Sequence, residues 1–75
     1  MRKTPYDGPI RRLRWRLEWT QERLAHSLGV AASAVANWEA GARIPSLRHA
    51  QALVRLAKKR RVRMTLEDIY ADTGD

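Results

Sequence analysis

Residues 20–45 read TQERLAHSLGVAASAVANWEAGARIP, and this stretch decides the fold. Thr20 is a good N-cap, because its hydroxyl can accept from an amide of the first helical turn. Glu22 follows in that turn, where the helix dipole favours negative charge. Leu24 and Leu28 form an apolar stripe at helical spacing, and Ala25 leaves room for another helix to approach. Gly29 supplies a left-handed residue that ends the segment. A second helix is predicted over 31–40, with Val35 and Trp38 on its inner face. Gly41 then lets the chain turn outward, and Pro45 opposes simple helical continuation. Two short amphipathic helices joined at Gly29-Val30 are the layout of a helix-turn-helix.

Working outward, residues 1–8 contain Pro5 and Gly8 without periodicity and read as a flexible N-terminal arm. Pro9 suits the first turn of a helix. Ile10, Leu13 and Leu17 follow at helical spacing, with Arg11, Arg12, Arg14 and Arg16 on other faces and an end near Glu18 or Trp19. Downstream, Ser46 caps a fourth helix whose apolar face is Leu47, Ala50, Leu53, Val54 and Ala57. Lys58 to Arg61 close it, where cations complement the dipole, form a phosphate-binding patch, or do both. Thr65-Leu66-Glu67-Asp68 has the form of a capping box, with Asp at the reciprocal position. A last turn over 66–70 should dock Leu66 and Ile69. The expected fold is all-α, a compact bundle of five short helices over 9–70, with an acidic tail at 71–75.

Composition narrows the function. Seventy-five residues allow one small domain. The absence of cysteine excludes a disulfide framework and a thiolate zinc site. The net charge is +7, with a pI near 11.1. Residues 1–63 hold all fifteen basic side chains against four acidic ones, a sum of +11, whereas residues 64–75 sum to −4. This asymmetry favours a polyanionic partner and keeps the tail away from it. No apolar run reaches the roughly twenty residues of a membrane span. Signal-peptide organisation is also missing, so a soluble, cytoplasmic protein is expected. Glu22 and His26 alone make a poor metal site, and His49 has no neighbouring ligand. No nucleophile is paired with a base and orienter, and no glycine loop could cradle phosphates. Neither an enzyme nor a cofactor is expected.

Thr20, Gln21, Leu24, Ala25, Leu28, Gly29, Val30, Val35, Trp38, Glu39, Gly41, Arg43 and Pro45 together resemble the lambda-repressor-like helix-turn-helix family, the Cro and xenobiotic-response-element group. The resemblance covers residues 10–57. It implies that Arg14 of helix one pairs with Glu39, as a structural ion pair. It implies a phosphate-contacting role for Gln21, which in some members also braces the recognition helix. Ala32, Ser33, Ala36 and Asn37 fall on positions that face the major groove, and Arg43 on a backbone-contacting one. The chemistry agrees: guanidinium and amide groups bind phosphates, Asn can contact adenine, and alanine methyls can meet thymine methyls. Arg11 and Arg12 either lie at the DNA flank or solvate the surface.

Departures from the pattern carry their own expectations. Ala31 replaces the usual Ser or Thr cap, so the recognition helix should start less firmly. Glu18 stands where glycine is frequent, and Ala40 replaces a frequent Asn. The alanine-rich surface shifts discrimination toward DNA shape or toward the N-terminal arm. Trp19 and Trp38 read as core aromatics, with the Trp38 indole also within reach of a phosphate. Trp15 does not fit the apolar face, which leaves it partly exposed or in a partner contact.

The function expected is sequence-specific binding of an operator in double-stranded DNA by a small transcriptional regulator, a repressor acting as a homodimer near the nucleoid. The dimer surface is expected around Ile69 and Tyr70 of the final helix. One alternative is a protein-interaction module, an antitoxin or accessory subunit. Another is a membrane-active cationic segment at Pro9 to Trp19.

Overall fold

Thr20 and Gly29 bound the helix α2 (Gln21–Leu28) in the computed structural model, which describes residues 8–71. Thr20 Oγ1 accepts from the Arg23 amide at 3.1 Å, and Gly29 takes φ 75°. That left-handed residue turns the chain so that the Val30 amide donates to the Ala25 carbonyl at 3.0 Å. The helix α3 (Ala32–Ala40) follows directly. Its N-cap, Ala31, has cap-like backbone angles but makes no side-chain hydrogen bond. Gly41, at φ 79°, ends it, and the Ala42 amide closes on the Asn37 carbonyl at 2.9 Å.

The helix α1 (Pro9–Leu17) stops one residue before the expected end. Glu18 itself becomes the left-handed C-cap, at φ 59°, and the Trp19 amide donates to the Arg14 carbonyl at 3.0 Å. The helix α4 (Leu47–Lys59) is capped by Ser46, whose hydroxyl accepts from the His49 amide. Its exit turns through Arg61 at φ 61°, with the Val62 amide on the Ala57 carbonyl at 2.8 Å. The helix α5 (Leu66–Ala71) opens with a reciprocal capping box: Thr65 N donates to Asp68 Oδ2, and Asp68 N donates to Thr65 Oγ1. No strand occurs among the described residues. Apart from Gly8 and Ala71, the expected arm (1–8) and acidic tail (71–75) lie outside the described residues.

The core lies where α1, α2, α3 and α4 converge. Leu13, Leu24, Val35 and Leu53 are its largest fully buried side chains. Burial of each contributes roughly 1.5–3 kcal/mol of transfer free energy. Ala25, Ala50 and Ala57 are also buried, and their small size lets the backbones approach closely. Met64 and Ile69 complete the cluster from the α4–α5 link and α5.

Two expectations are corrected. Ile69 is 3% exposed and docks in the core as expected of the last turn, which removes it from the partner surface expected around Ile69 and Tyr70. Leu47, placed on the buried face of α4, is 56% exposed; it continues the Ala50-Leu53-Ala57 stripe one turn beyond its last packed neighbour. Trp19 and Trp38 are partly buried against the core, and Trp15 is 56% exposed.

Candidate nucleic-acid interface

α3 packs against α1 and α2, which turns one of its faces into the domain and leaves the other outside. Val35 and Glu39, four residues apart, point inward and are buried. Ser33 is exposed, and Ala36 and Asn37 are half-buried. These three share a face by helical periodicity. Ala32 is also half-buried and leans on the edge of the core. Arg43 is exposed in the loop that follows, and its amide donates to the Asn37 carbonyl at 3.2 Å. That bond ties the loop to the end of α3.

Beneath this face lies a polar network joining three helices. Arg14 Nε donates to Glu39 Oε2 at 2.7 Å, and Nη2 donates to Oε1 at 3.0 Å. The remaining Nη1 donates to the Trp19 carbonyl at 3.1 Å. The side chains are only 13% and 3% exposed, so the pair is largely shielded from water. Two parallel charge-assisted bonds and a third partner offset the desolvation that such burial imposes. Gln21 Nε2 donates to the same Glu39 Oε1 at 3.0 Å. Its amide is therefore turned toward α3 from the first turn of α2. A phosphate would find the other Nε2 hydrogen and the Gln21 backbone amide, which has no partner within a helix.

Arg11 and Arg12 stand on α1, Arg11 half-buried with its guanidinium 4.9 Å from the Trp15 ring centroid and Arg12 exposed. Sequence reasoning weighed His49 only as a metal ligand, yet its ring lies 5.6 Å from that of Trp38, tilted by 41°. His49 Nδ1 also lies 3.2 Å from the Ser46 hydroxyl. The contact braces the end of α3 on the first turn of α4. Its signal was positional: His49 is the third residue after the cap Ser46, where a side chain can fold back. Among the described residues no group of three or more His, Cys, Asp or Glu could hold a metal ion. No helix among them is long and apolar enough to cross a membrane.

A family model described as helix-turn-helix matches residues 10–61, from the second residue of α1 through the end of α4. No curated protein and no solved structure matches the chain. A helix pair joined at a left-handed glycine, an outward face on its second helix and this match agree: the chain belongs to the lambda-repressor-like helix-turn-helix family of DNA-binding transcription regulators.

Proposed function

We propose that the protein is a sequence-specific binder of double-stranded DNA that represses transcription by occupying an operator. The observation that carries this reading is the attitude of α3, which is locked from below through Glu39 and keeps Ser33 outward. In the major groove Ser33 and Asn37 offer hydrogen bonds to base edges, and Ala32 and Ala36 offer methyl contacts. Gln21 and Arg43, with Arg11 and Arg12 at the flank, contact phosphates and set the register. The domain acts in the cytoplasm, at the nucleoid.

A single α3 reads few base pairs, so a homodimer on a two-fold site is proposed, with half-sites about 10 bp apart or a multiple of that. Ile44 and Leu47 are 55% and 56% exposed on either side of Pro45. Tyr70 donates its hydroxyl to the Pro45 carbonyl at 3.3 Å, placing α5 beside them. These two apolar side chains are the proposed partner surface.

The second reading, a protein-interaction module such as an antitoxin, draws on the alanine-rich outer face of 31–40. Selection from a random duplex library separates the two. Enrichment of a symmetric motif supports the operator reading. Binding that is salt-labile and indifferent to sequence supports the protein partner instead.

A further inference from the structure

Outside α3, five arginines from four segments of the chain form two clusters. Arg12 and Arg16 of α1 line a cleft with Arg63 of the α4–α5 link. Next to it, the guanidiniums of Arg23 and Arg60 lie 4.8 and 5.3 Å from the centroid of the Trp19 ring. The two groups are joined along the chain, with Arg16 three residues before Trp19 and Arg60 three before Arg63. All five are exposed.

Among the described residues, three acidic side chains, Asp68, Glu18 and Glu22, stand near this band of five arginines. Asp68 lines the cleft, and its Oδ2 accepts from the Thr65 amide at 3.0 Å. Glu18 and Glu22 are exposed close by in sequence. Gathering like charges opposes folding, and a surface serving solubility alone would spread them. Here the link is bent through Arg61, a non-glycine residue at φ 61°, between the arginine on Trp19 and the arginine in the cleft. Stacking on an indole also holds a guanidinium in one plane, which suits phosphate recognition.

We propose that this band is a second phosphate-binding surface, which takes the backbone of the bound duplex outside the half-site read by α3. The proposal rests on the DNA-binding reading above. Two features select the same duplex as the occupant. The charge is complementary to phosphate, and Arg23 belongs to the first turn of α2, the turn that also carries the proposed phosphate contact Gln21. A purely structural role, complementing the C-terminal dipoles of α1 and α4, would be insensitive to the length of the DNA.

The test uses the full chain and two duplexes carrying the sequence enriched by selection, one trimmed to the protected core and one extended to about 40 bp. At about 100 mM salt the wild type should bind the long duplex about ten-fold more tightly, with a salt slope steeper by about 0.9 for each added phosphate contact. The Arg16→Gln/Arg63→Gln pair and, separately, Arg60→Gln should lose most of that advantage and bind the trimmed duplex as the wild type does. Arg60→Lys should restore most of it, and thermal melts should show every variant folded. Wild-type binding that ignores duplex length, or variants that weaken both duplexes alike, would overturn the band and leave the α3 reading standing. A complex holding two duplexes, lost in the variants, would overturn it in favour of a second DNA segment. Failure of the wild type to bind any duplex would remove the DNA-binding reading, and the band with it.

Discussion

Gln21 and Glu39 are joined by a 3.0 Å hydrogen bond from the amide of one to the carboxylate of the other. The same Oε1 accepts from Arg14 at 3.0 Å, so α1, α2 and α3 meet at one oxygen. The angle between the two helices of the motif is thus held by a buried charge as well as by apolar packing. Removing that charge should loosen the presentation of α3 along with the fold.

Glu39→Gln leaves the Arg14 guanidinium shielded from water without a counter-ion. The expected loss is about 3 kcal/mol, a large share of the roughly 5–15 kcal/mol that small domains possess. Arg14→Met combined with Glu39→Leu should recover most of it, because no orphaned charge remains. Urea denaturation of the three proteins decides the matter. Equal losses in the single and double variants would mean that packing, not charge, holds this junction.

Ala31→Ser should stabilise the domain. Ala31 already has N-cap backbone angles, φ −76° and ψ 151°, but no side-chain acceptor for the first amides of α3. A serine hydroxyl there should add about 1 kcal/mol. That corresponds to a rise of about 4–8 °C in Tm for a domain of this size. An unchanged Tm would show that water caps the helix equally well.

Glu18→Gly acts on the backbone instead. Glu18 sits at φ 59°, where a β-carbon is strained by about 1 kcal/mol relative to glycine. The variant should unfold at slightly higher urea concentration, by a margin equivalent to at most about 0.5 kcal/mol once the added freedom of the unfolded chain is deducted. A lower midpoint would show that the Glu18 side chain makes a compensating contact.

What could be read from the sequence was local. Thr20, Gly29, Ser46 and the Thr65–Asp68 box announce their helix ends within three or four residues, and the structure places those ends accordingly. Glu18 was visible as a left-handed position because glycine is frequent there in the family it resembles. The Arg14–Glu39 contact spans 25 residues, and no periodicity points to it; only the resemblance did. The burial of Met64 and the two arginines on Trp19 depend on how the chain reverses at Arg61. An arginine carries no signal for a left-handed residue. Leu47 misled for a related reason: periodicity reports which face a residue shares, not how far along the helix the neighbours extend.

For the proposed interface, Asn37→Ala and Arg43→Ala should fail in different ways. Loss of Asn37 should relax the preference at one base position by about 1–3 kcal/mol, with little effect on other sequences. Loss of Arg43 should weaken every duplex alike and flatten the salt slope by about 0.9. Competition binding against a panel of single-base operator variants reads both. An Asn37→Ala profile identical to the wild type would remove that residue from base readout.

Leu47→Glu tests the proposed dimer surface. Leu47 is 56% exposed in the isolated chain, so its replacement should leave the fold intact. Buried between two copies, a carboxylate would be desolvated beside its symmetry mate, and that repulsion opposes association. Sedimentation at micromolar concentration should show the wild type as a dimer and the variant as a monomer. Binding to a two-half-site duplex should lose its cooperativity, while affinity for one half-site stays within about two-fold of the wild type, the operator spacing being set by the dimer. Trp15→Arg is the control, because Trp15 is equally exposed but lies on α1. Dissociation by Trp15→Arg with Leu47→Glu still dimeric would move the interface to α1 and refute the surface formed by Ile44 and Leu47.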